Sequence, residues 1–64
     1  MQPHQQRVVE EKEALDVKLT ALNMFIDYGI NFSKILPEEQ ARLKAQAYAM
    51  RAYSDILADR IEAF

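Results

Sequence analysis

From Gln5 to Tyr28 the apolar residues Val8, Leu15, Leu19, Leu22 and Ile26 recur at helical intervals, with good helix formers between them. This pattern predicts one face of a first α-helix. Pro3 is acceptable at its start, and Glu10, Glu11 and Glu13, mixed with Lys12, complement the helix dipole only in part. Gly29, the only glycine, falls where a left-handed C-cap is expected. Ile30 to Leu36 is then a short connector in which one extra turn folds Phe32 and Ile35 back over the end of a hairpin. Pro37, followed by Glu38 and Glu39, opens a second helix.

That second helix carries two apolar stripes. One runs Leu43, Met50, Leu57 and Phe64, with Ala47 and Ile61 beside it, and is the seam of a packed helix pair. The other is made of Ala41, Ala45, Ala49, Ala52, Ile56 and Ala63, small residues at helical spacing that let a second backbone approach closely. A lone hairpin covers only one of them. The expected fold is therefore all-α: a single domain over residues 1–64, an antiparallel two-helix hairpin assembling into a homo-oligomeric helical bundle. Its elements are a helix over about 5–28, a connector over about 29–36 and a helix over about 37–63. The subunit interface is expected at Ala41, Ala45, Ala49, Ala52 and Ile56, with Tyr28, Phe32, Tyr48 and Phe64 at subunit contacts. Counting outward from the turn places Leu22 near Leu43, Leu15 near Met50, Lys12 near Ser54, and Gln5 to Arg7 near Arg60 and Ile61.

Size supports assembly. A chain of about 60 residues buries only roughly 60% of its unfolded surface, and small domains are usually reinforced by disulfides, a metal or oligomerisation. This chain of 64 residues has no cysteine and a single histidine, His4, which leaves oligomerisation. Eight basic and ten acidic residues are interspersed, with a net charge of −2 and no basic block, so a nucleic-acid polymer is not the expected partner. No apolar run approaches the roughly 18 residues that span a bilayer, and Met1-Gln2-Pro3-His4 lacks the basic and apolar regions of a signal peptide. The expectation is a soluble cytoplasmic protein with no membrane contact.

Several polar residues fall where the seam should be apolar. Continuing the first helix toward its start gives Lys12 and then Gln5, while Ser54 lies on the second helix's seam with Gln46, Tyr53 and Arg60 along one flank. A buried polar group without a partner costs on the order of 1–3 kcal/mol, so this cluster must be internally paired, wet or filled by a ligand. Lys12 can snorkel, Gln5 can fray and Ser54 is small enough to be tolerated. Read as a site instead, His4, Gln5, Arg7, Lys12, Tyr53, Ser54 and Arg60 line a pocket where two hairpins meet. Such a pocket suits a planar anion, with Arg and Lys for phosphate, Tyr for stacking, and Gln and Ser for polar edges. Catalysis is not expected: Glu10, Glu11, Glu13 and Asp16 read as a solvated face. No pair of His or Cys residues can share a metal, and no phosphate loop or paired nucleophile and base is present. No cofactor is expected.

The run His4-Gln5-Gln6-Arg7-Val8-Val9, followed by Glu11-Lys12, Leu15-Asp16, Lys18, Leu22 and Phe25-Ile26, resembles a family of very small phage proteins labelled as relatives of a crAss-phage product. Leu36-Pro37, Gln46, Met50, Tyr53-Ser54, Leu57 and Arg60-Ile61 extend the likeness over nearly the whole chain, and the opening PHQQRVVEEK is its specific part. The resemblance implies a phage accessory protein that counters host defence as a sponge. In that role it binds a nucleotide second messenger, a cyclic oligonucleotide or cyclic ADP-ribose derivative, without cleaving it. Arg7, Lys12 and Arg60 would then hold phosphate, Tyr53 would stack on a base, and His4, Gln5, Gln6 and Ser54 would read polar edges. The residues alone also admit an inhibitor that docks on a host protein and a virion or assembly component with no small ligand.

Overall fold

In a computed structural model describing all 64 residues, the chain forms two helices packed against each other, α1 (Pro3–Tyr28) and α2 (Pro37–Glu62), with no strand. A single turn of 3₁₀ helix, Phe32–Lys34, lies in the connector between them. The expected hairpin is thus the fold. No helix is long and apolar enough to cross a membrane.

Both helices begin on proline, whose missing N–H costs nothing at the first helical position. α1 starts at Pro3 rather than near Gln5, because the Gln5 side-chain oxygen accepts the Gln2 backbone N–H at 2.9 Å and holds the first turn. Gln5 therefore caps the helix instead of fraying. In α2, Glu38 and Glu39 occupy the first turn and Arg60 the last, each on the end of the dipole that favours it. The second helix stops at Glu62, one residue before the expected end.

The turn departs from the sequence reading at Gly29. Its backbone is extended, φ −71° and ψ 121°, not left-handed, while its N–H donates to the Phe25 carbonyl at 3.0 Å. What the position needs is space. A Cβ on Gly29 would lie 2.5 Å from the Phe25 carbonyl oxygen and 2.8 Å from the Phe25 ring. Phe32 then folds back as expected and is buried, with its ring meeting Phe25 edge-on at 5.7 Å. It closes the hairpin. Lys44 sits 5.9 Å above the Phe32 ring. The Gln40 amide, from the first turns of α2, donates to the carbonyls of Phe32 and Ile35 at 3.1 and 2.8 Å and ties the connector down.

Val8 and Leu15 of α1 pack around Leu57, with Met50 and Ile61 against them, and Leu19 is also buried. Phe64 lies beyond the end of α2 and stays 46% exposed, so the seam ends at Ile61. Ser54 bonds Asp16, one turn on from Lys12, and Lys12 binds the same carboxylate, so Lys12 and Ser54 lie near each other as expected. In the connector Ile35 and Leu36 are extended (ψ 147° and 140°) and lead into α2. A 26-residue helix is about 39 Å long, and the molecule measures 46 Å along its axis with the connector and chain ends included.

Leu57 is fully buried at the centre of this small core. Leu57→Ala is expected to cost about 2–5 kcal/mol, read as a lower urea midpoint at fixed protein concentration; an unchanged midpoint would mean that Val8, Leu15 and Leu57 do not form the core.

Candidate functional site

The polar residues of the seam converge on one carboxylate. Asp16 faces α2 from the edge of the α1 core stripe, where its Oδ1 accepts the Ser54 hydroxyl at 2.5 Å and its Oδ2 accepts the Lys12 ammonium at 2.7 Å. Lys12 and Asp16 are one helical turn apart, a spacing that brings two side chains of one helix together. Ser54 lies 38 residues from Asp16 in the chain, so this hydrogen bond clasps the two helices. Ser54 is buried and Lys12 is half-buried. Hydrogen bonds from Lys12 and then Ser54 hold the Asp16 carboxyl below its ordinary range, against a smaller opposing effect of burial.

No buried side-chain nitrogen or oxygen lacks a hydrogen-bond partner. The polar cluster is therefore internally paired within one hairpin, and burial alone calls for no ligand.

Two shallow grooves run along one side of the hairpin. The first, about 390 Å³, is lined by Asn23, Ile26 and Asp27 of α1 and Lys44, Ala47, Tyr48 and Arg51 of α2. The second, about 370 Å³, continues it toward the clasp and includes Lys12, Asp16, Thr20, Arg51, Ser54 and Asp55. Arg51 bridges the two grooves and donates to Asp55 at 3.3 Å.

The sequence-derived site residues divide between the two sides of the hairpin. Lys12 and Ser54 line the second groove. At about 100° per residue, Gln46, Tyr53 and Arg60 fall on the flank of α2 opposite Lys44, Arg51 and Asp55, so they face away from both grooves. The same rotation puts His4 and Arg7 on the ungrooved side of α1, Gln5 on the grooved side and Gln6 on the outward face. Arg7 and Arg60 are exposed, form no ion pair and lie at the open end of the hairpin. No cavity of the single chain gathers all eight residues. Sequence reasoning placed Asp16 on a solvated face and passed over Asn23, Arg51 and Asp55. The usable signal for Asp16 was its position four residues after Lys12, the polar residue already flagged on the seam.

The fold and these open grooves define a small helical hairpin that presents polar and charged flanks and encloses no ligand cavity of its own. The chain matches the family model described as Sequestin over residues 2–63, and it belongs to that family. No curated protein and no solved structure matches it. The family name is consistent with a sequestering protein, and membership implies a bound partner or ligand in general.

The clasp makes stability pH-dependent. Asp16 titrates in the folded chain below the ordinary aspartate value near 3.9, so its contribution is complete above that value and is lost as pH falls through the lowered folded one. Melting temperatures taken from about pH 6 to pH 2 should fall less steeply for Asp16→Asn than for the natural protein; equal slopes would remove Asp16 from the clasp.

Proposed function

We propose that this Sequestin-family chain is a phage-encoded counter-defence protein. As a homo-oligomer it sequesters a nucleotide immune second messenger of the cyclic oligonucleotide or cyclic ADP-ribose type in the cytoplasm of the infected host. It acts by binding and not by catalysis. The observation that carries this reading is the family match over residues 2–63, because the family's name is consistent with a sequestering protein.

The open end of the hairpin supplies chemistry that suits such a ligand. Arg7 and Arg60 are cations with no carboxylate partner, and Tyr53 stands two turns from Arg60 on the same flank. Guanidinium groups bind phosphate through paired hydrogen bonds, and an accessible tyrosine ring stacks on a base. His4 shares that side of the molecule, Gln6 lies one position along, and Lys12, Gln5 and Ser54 stand across the seam. A second hairpin closing over this end would bring both groups around one ligand, in a pocket fixed before binding, which reduces the entropy lost on association. Lys12 would then exchange part of its contact with Asp16 for phosphate.

A thermal-shift screen against cyclic dinucleotides, cyclic trinucleotides and cyclic ADP-ribose isomers tests the proposal. A ligand at 100 times its dissociation constant stabilises by about 2.7 kcal/mol, and it should be recovered chemically unchanged. Arg60→Ala and Lys12→Ala should abolish the shift without changing the assembly, whereas Glu62→Ala should leave it intact. Absence of a shift across the whole panel would contradict the nucleotide reading and turn the search to a host protein.

A further inference from the structure

The face of α1 that points away from α2 carries a second apolar strip. Ala14, Val17, Ala21, Met24 and Tyr28 follow one another at intervals of three and four, the spacing of a helix-pairing seam. None of them touches the hairpin core: Val17, Met24 and Tyr28 are 71%, 58% and 81% exposed. They lie about half a turn of rotation from Val8, Leu15 and Leu19. α1 is therefore apolar on two opposite faces, and only one of them is covered.

The exposed area of this 46 × 15 × 13 Å rod leaves room for a protein-sized contact on the other. The single chain exposes 4948 Å². A compact monomer of this size exposes roughly 4,200 Å². The excess of about 700 Å² is close to the roughly 800 Å² that each partner contributes to a standard protein interface. Glu10 and Glu13 sit beside the N-terminal end of the strip and oppose seating on an anionic lipid surface.

We infer that the strip Ala14–Val17–Ala21–Met24–Tyr28 is a self-association face that docks on a second copy of this chain. It is separate from the alanine stripe on the outer face of α2, where Ala41, Ala45, Ala49, Ala52 and Ile56 are all exposed. With an apolar face on the outside of each helix, every copy engages neighbours on both sides, and the assembly grows beyond a dimer until it closes. This inference rests on the homo-oligomer of the proposed function but not on any ligand.

The test is the solution mass of the ligand-free chain, by light scattering after size exclusion, for the natural protein, Met24→Lys, Ala49→Lys and the double variant. Circular dichroism checks that each stays helical. Both sites are exposed in the hairpin, and Val17→Lys is an independent second variant of the α1 strip. The natural chain should exceed a dimer, each single variant should be smaller, and the double variant should be monomeric. If both single variants fall straight to monomer, the α1 strip seats on the alanine face of the next copy, which still makes a second copy its occupant. A monomeric natural chain, or α1-strip variants of unchanged mass, would overturn the inference. A failed nucleotide screen alongside an intact assembly would count against the ligand alone.

Discussion

Two helices laid side by side share a single line of contact, and the rest of this molecule follows from how little that line can bury. Only six of the 64 residues are buried, with Leu57 at the centre between Val8 and Leu15. The middle of the line is then interrupted by Ser54, which is buried and needs a partner. Asp16 supplies it from the opposite helix and is itself neutralised by Lys12, so one carboxylate satisfies both polar residues of the seam. A specific hydrogen bond also fixes the sliding register of two helices in a way that leucine contacts do not. In the observed register Ser54 reaches Asp16 while Leu57 packs with Val8 and Leu15.

Much of this was legible in the sequence because helical period and end signals are local. Proline at the start of each helix, the seam at Leu15, Leu43, Met50 and Leu57, and the fold-back of Phe32 all depend on spacing and on residue type. The conformation of Ile35 and Leu36, two extended residues of the connector, was not legible, since no periodicity reveals it. Gly29 shows the same limit: glycine after a helix suggested a left-handed cap, whereas the constraint is the close approach of the Phe25 carbonyl and ring. Gln40 is a polar side chain whose role is set by two connector carbonyls that only the folded chain brings near it.

The candidate site was half legible. Lys12 and Ser54 were flagged because they break an apolar stripe, and both are engaged together through Asp16. Their partner was hidden because an acidic residue among other acids resembles a solvated face. Tyr53 and Arg60 share a flank, as their spacing of seven requires, but rotation carries that flank away from the grooves lined by Lys44, Tyr48 and Arg51. A single hairpin thus divides the polar residues between two sides, and the proposed function has a neighbouring copy bring them together. That proposal joins ligand capture to assembly, for which the exposed apolar faces of α1 and α2 would provide the driving force.

Native mass spectrometry of the protein mixed with cyclic dinucleotides, cyclic trinucleotides and cyclic ADP-ribose isomers tests that joint claim most directly, because subunit number and ligand mass are read from the same ion. The account predicts an oligomer carrying a whole number of intact nucleotides, with no free hairpin holding one. A bare monomer, or a monomer that binds nucleotide without assembling, would contradict it.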